Sequence, residues 1–118
     1  MKKTFRDAWH GFRIAFKEER NLRIHSVATL VVLLLAVYFQ ITSLEWIALV
    51  ITIGMVVCLE LVNSAIENLT DLVTNERHPL AGKVKDISAA AVLFASVISV
   101  VVGLLIFVKY FRLLLINS

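Results

Sequence analysis

Glu60, Asn63, Ser64, Glu67 and Asp71 recur at three- and four-residue steps in the stretch Glu60-Leu-Val-Asn-Ser-Ala-Ile-Glu-Asn-Leu-Thr-Asp71. On a helix these side chains fall within an arc of about 100°, and the three acids within about 40°. Leu61, Val62, Ala65, Ile66 and Leu69 cover much of the remaining surface. The pattern predicts a helix with one acidic seam. Carboxylates so placed can hold a hard cation, since Mg²⁺ is usually bound by one or two carboxylates together with phosphate oxygens and water. The same seam read blandly is a solvated face, or a set of partners for Arg20 and Arg23. Asn63 and Ser64 favour the chemical reading, because two hydrogen-bonding side chains one turn from Glu60 can orient a carboxylate or a polar ligand.

Two further clusters carry charge. Glu18-Glu19-Arg20-Asn21-Leu22-Arg23-Ile24-His25 precedes one apolar stretch, and Glu76-Arg77-His78-Pro79-Leu80-Ala81-Gly82-Lys83-Val84-Lys85-Asp86 precedes another. Gly82 permits a sharp turn, so the last helix is expected to begin just after it. Its first free N–H groups would then lie beside Lys83 and Lys85, an arrangement suited to phosphate. Ordinary basic flanks are the alternative. His25 and His78, taken singly, read as hydrogen-bonded structural residues. Gly82-Lys83 lacks the upstream glycine of a P-loop and is followed by Val84. The protein-kinase signature set is absent as well.

The elements that must position these groups follow from composition. Of the 118 residues, 59% are hydrophobic and 18% charged. Soluble domains carry about 45–50% apolar and about 25% charged residues. A chain this short cannot shield so much apolar side chain from water. Soluble enzyme, disordered tail and disulfide scaffold are excluded in favour of an integral membrane protein. The net charge of +3 is too modest to argue for nucleic acid, and the one cysteine, Cys58, offers no internal disulfide.

Three apolar stretches run over Val27–Phe39 (extendable from Ile24 to Ile41), Trp46–Leu59 and Ile87–Val108. A bilayer core needs roughly 20 helical residues, so the first two helices must continue past their apolar limits. Gln40 to Glu45 is then a tight turn in an antiparallel hairpin. Lys and Arg crowd before the first span and between the second and third, while the turn has none. The positive-inside rule puts the N-terminus and the 60–86 segment in the cytoplasm. Residues 1–41 do not read as a cleaved leader, because the charged lead is long and no A-x-A-like site follows. Glu60, directly after an apolar run, then sits at the inner membrane boundary. A carboxylate there is costly to ionise, which suits a general base working near neutral pH.

Before the spans, Phe5, Trp9, Phe12 and Phe16 fill an arc of roughly 60° on a helix. Arg6, His10, Arg13, Lys17 and Arg20 lie beside or opposite it. This is a helix for the membrane surface, with rings toward the acyl chains and cations toward anionic headgroups. It serves either as a plain anchor or as a wall over a lipid substrate. One membrane edge thus collects carboxylates for a metal, cations for phosphates and an acid at headgroup depth. That inventory suits phosphoryl transfer from a nucleotide to a lipid alcohol.

Glu60-x-x-Asn63-Ser64-Ala65-Ile66-Glu67-x-x-x-Asp71, followed by Lys85-Asp86-x-x-x-Ala90-Ala91-Val92-Leu93, resembles the small prokaryotic diacylglycerol kinase/undecaprenol kinase family. The resemblance runs from about Trp9 to Phe107. Glu19-Arg20-Asn21-x-Arg23-Ile24-His25 and Glu76-Arg77-His78-Pro79-Leu80-Ala81-Gly82-Lys83 are similar to the Gram-positive branch, whose acceptor is undecaprenol.

The resemblance implies an all-α integral membrane fold: a surface helix over residues 1–23 and helices over 24–41, 46–73 and 84–108 carrying the three spans. It implies one domain, 1–118, assembled as a homotrimer with active sites between subunits. The reaction implied is ATP-dependent phosphorylation of undecaprenol at the cytoplasmic face of a bacterial plasma membrane. By motif, Glu19 and Glu67 would hold Mg²⁺ against the ATP phosphates, and Glu60 would take the lipid hydroxyl proton. Asn63 would support Glu60 and the acceptor. Glu76, Arg77, His78, Lys85 and Asp86 would contact nucleotide, with Asp71 behind them or facing it. Diacylglycerol is the alternative acceptor. A transporter is disfavoured because no acid lies inside a span, and an inert membrane subunit would make no ATP-dependent lipid product.

Overall fold

The computed structural model describes residues 2–117; Met1 and Ser118, the ends of the expected 1–118 domain, lie outside the described residues. Four helices follow one another: α1 (Lys2–Glu18), α2 (Arg20–Phe39), α3 (Ser43–Val73) and α4 (Pro79–Ile116). The last three are each long and apolar enough to cross a membrane. Much of their apolar surface faces outward, including Val27, Leu34, Leu93 and Leu105. Lipid tolerates this arrangement and water would not.

α1 is the expected amphipathic helix, but it ends five residues early. The boundary was expected after Arg23; the chain breaks at Glu19, whose backbone is extended (φ −101°, ψ 109°). The reason is the end of α1. Arg23 Nη1 donates to the carbonyls of Phe16 at 3.1 Å and Lys17 at 2.6 Å, two of the acceptors that a helix C-terminus leaves open. Arg23 therefore sits in the first turn of α2 and caps α1 from there. Ala15 is buried, and Trp9, Phe12 and Phe16 stack in a row at centroid spacings of 6.0 and 6.2 Å.

The turn between α2 and α3 is Gln40–Thr42, shorter than the expected Gln40–Glu45. Gln40 takes the left-handed conformation (φ 51°), and its N–H reaches Ala36 O and Val37 O. Thr42 and Glu45 form a reciprocal capping box, Thr42 N–H to Glu45 Oε1 at 2.9 Å and Glu45 N–H to Thr42 Oγ1 at 3.2 Å. This starts α3 at Ser43. Lys109 Nζ lies 2.5 Å from Glu45 Oε2, and Tyr110 Oη donates to Glu45 Oε1. These contacts carry α4 beyond the expected 108 to Ile116. Thr42→Ala should cost about 1 kcal/mol of stability, read as a lowered melting temperature in detergent micelles.

α4 also begins earlier than expected, at Pro79 rather than 84. Proline at the first helical position lacks only an N–H that would be unpaired anyway, and His78 Nδ1 accepts the Leu80 N–H at 3.1 Å. Gly82 lies within the helix, and no glycine has a positive φ. The loop is thus 74–78, and Lys83 and Lys85 sit one and two turns inside α4 instead of beside its first N–H groups. α3 and α4 make the most extensive pairing. The apolar core of Ala36, Ile41, Leu49, Ile106 and Phe107 lies toward the Gln40–Thr42 end. At the opposite end the buried residues on α3 and α4 are polar: Glu60, Ser64 and Ser88.

Candidate active site

The start of α2, the far half of α3 and the start of α4 meet at one end of the molecule. Ser64 Oγ donates to Glu19 Oε1 at 3.1 Å, tying the α1–α2 junction to α3. Four residues earlier on the same face, Glu60 is 6% exposed. His25 Nδ1 stands 2.6 Å from Glu60 Oε1. The approach is outside hydrogen-bond geometry, so both Glu60 oxygens and His25 Nδ1 are buried without a hydrogen-bond partner among the described residues. Buried carboxylates normally have their lone pairs satisfied, because leaving them bare is expensive.

One turn on, a relay of neutral donors sets the next acid. Ser88 Oγ on α4 donates to Asn63 Oδ1 at 2.5 Å, and Asn63 Nδ2 donates to Glu67 Oε1 at 3.3 Å. The Asn63 amide is therefore turned to Glu67, not to Glu60 as expected. The acceptor-only Glu67 carboxylate fixes the nitrogen side of the amide, and the buried Ser88 hydroxyl holds its oxygen. Ser88→Ala should free the amide and raise the divalent-cation concentration for half-maximal activity about two- to tenfold, the worth of one hydrogen bond; a Mg²⁺ titration of initial rates reads it.

Further out, Lys85 Nζ pairs with Asp71 Oδ1 at 2.6 Å. Lys85 precedes the apolar 87–108 stretch. Its ammonium is held protonated above the usual lysine range by Asp71 first, with the Glu67 charge adding to it. Asp71 and Lys85 line a cavity of about 460 Å³ together with Glu76, Arg77, His78 and Gly82. Within it the His78 ring caps α4, and the Glu76 N–H donates to Thr74 Oγ1. Asp86 is exposed nearby on α4. The expected nucleotide residues Glu76, Arg77, His78 and Lys85 thus share one open cavity.

Arg20 and Arg23 form no ion pair with the acidic seam among the described residues. Arg23 is spent on backbone carbonyls. Glu19 and Glu67 each give one oxygen to a neutral donor and stay unpaired by cations, which leaves hard carboxylate oxygens suited to Mg²⁺. Among the described residues no three His, Cys, Asp or Glu side chains form a ready-made cluster for a metal. A metal held here draws on two carboxylates and needs phosphate oxygens and water to complete its shell. Ser64, expected to orient a carboxylate, does so at Glu19; sequence reasoning missed His25 and Ser88 as site residues. Only for His25 was there a signal: it stands at the inner end of the first span, level with Glu60 across the expected hairpin.

Comparison with known proteins shows the family. The sequence profile of the prokaryotic diacylglycerol kinase family matches residues 6–107. The undecaprenol kinase of Bacillus subtilis is 40% identical over 105 residues, covering 89% of this chain and 85% of its own. The diacylglycerol kinase of Escherichia coli is 31% identical over 104 residues, with coverage of 88% and 85%. That of Haemophilus influenzae is 33% identical over 98 residues, with coverage of 82% and 83%. Four helices, three of them long and apolar, are thus the frame of a membrane lipid kinase, and the chain belongs to the prokaryotic diacylglycerol kinase family.

Proposed function

We propose that the chain phosphorylates undecaprenol with ATP and Mg²⁺, making undecaprenyl phosphate at the cytoplasmic face of the membrane. The observation that carries this is Glu60: a buried carboxylate at the end of an apolar run, beside the polar cluster, with His25 as its close neighbour at 2.6 Å. Its role is to accept the proton of the lipid hydroxyl as that oxygen forms its bond to the γ-phosphorus and the bond to the ADP oxygen breaks. Glu19 and Glu67 would hold Mg²⁺, which when bound offsets the phosphate charge. Lys85 has to exchange Asp71 for a phosphate oxygen, a trade between two anions at an exposed position. Asp71, Asp86 and the Glu76–His78 loop border the nucleotide. The basic N-terminal helix lies on the cytoplasmic surface. Sites shared between the subunits of a homotrimer would supply walls that three helices alone lack.

The acceptor reading is supported by the relative named undecaprenol kinase, at 40% identity. Diacylglycerol is the second reading, supported by the relatives named for it. Purified protein in mixed micelles containing both alcohols and labelled ATP decides between them. Label is expected mainly in undecaprenyl phosphate; equal or faster labelling of phosphatidic acid overturns the acceptor assignment.

A further inference from the structure

A narrow cavity of about 120 Å³ runs between α2, α3 and α4, and His25, Ala28, Thr29, Thr52, Ser99 and Gly103 are among its lining residues. It has room for a short hydrocarbon segment. Most of its lining is aliphatic, and Thr52 Oγ1 and Ser99 Oγ turn their protons back to the helix backbone, to Ala48 O at 2.7 Å and to Ser96 O at 2.6 Å. His25 is the one ionisable lining residue, with the Glu60 carboxylate beside it. At Gly103 a side chain would meet open space, so the glycine keeps the slot clear without any backbone need for it.

A mostly apolar pocket with His25 in its lining and Glu60 beside His25 matches an alcohol whose hydroxyl terminates a single chain. We propose that this slot seats the hydroxyl-bearing segment of a single-chain lipid alcohol, and that His25 positions that hydroxyl against Glu60. This rests on the undecaprenol reading, and a single chain asks less of so small a pocket than a glycerol carrying two esterified chains.

Two kinds of variant separate the roles. Gly103→Leu and Ala28→Leu fill the slot from opposite helices. Each should raise the KM for undecaprenol about tenfold, the cost of a lost apolar contact of one or two carbons, with the KM for ATP unchanged. His25→Leu should instead lower kcat by up to about 10²-fold, as misplacement of a reacting group does, with His25→Gln restoring part of it. A direct measurement covers a variant that fails to fold. In a Cys58→Ala chain in vesicles, undecaprenol should protect Gly103→Cys from a membrane-permeant maleimide, and diacylglycerol should not. An unchanged undecaprenol KM in both filled variants, or absence of protection, overturns the slot. Wild-type protein that labels diacylglycerol but not undecaprenol overturns the acceptor reading beneath it, and the slot with it.

Discussion

Glu60→Gln is expected to abolish turnover while Mg·ATP still binds. A positioned general base contributes about 10²–10⁴-fold to rate, and the amide cannot accept the hydroxyl proton. The substitution keeps the volume of a side chain that is 6% exposed. It also removes the charge that His25 faces at 2.6 Å, so a melting temperature in micelles accompanies the rates. Initial rates of lipid phosphorylation together with equilibrium binding of labelled ATP in micelles separate the two effects. Full activity in this variant ends the base assignment.

The second large effect is expected at Glu19 and Glu67. Replacing either by alanine should weaken Mg·ATP binding by at least about tenfold, since carboxylate coordination of a phosphate-bridging metal is worth several kcal/mol. Alanine also frees a neighbour: Ser64 loses its acceptor at Glu19, and Asn63 loses its acceptor at Glu67. Glu19→Gln and Glu67→Gln retain an oxygen for those donors and remove only the charge. The glutamine variants should therefore show the same loss of metal dependence as the alanines. Unchanged Mg²⁺ titrations in all four refute the metal assignment. A loss confined to the alanines would make both acids structural acceptors.

Much of this architecture was legible before any coordinates. The apolar runs located three crossings, and the three- and four-residue recurrence from Glu60 to Asp71 located the acidic seam, because both depend only on local period. Helix ends were less legible. The break at Glu19 depends on Arg23 reaching back across it to two carbonyls, and the early start of α4 depends on His78 and Pro79 acting together. Reading Gly82 as the turn gave too much weight to its freedom and too little to the proline three residues before it. Contacts across the fold were not legible at all. Asn63, one turn from Glu60, reads as its support, but its amide is held between Glu67 and Ser88, the latter from another helix. His25, at the inner end of the first span, acquires its meaning through the 2.6 Å approach to Glu60.

The central claim is that α3 brings its acids out of the bilayer at headgroup level, on the side where nucleotide binds. Spin labels at positions 60, 67 and 85, one at a time in a Cys58→Ala chain in vesicles, report depth through relaxation by oxygen against a water-soluble nickel complex. The account predicts position 60 at the boundary, with 67 and 85 progressively more exposed to nickel added on the cytoplasmic side. Position 60 deep in hydrocarbon, or positions 67 and 85 reached from opposite sides, would contradict it.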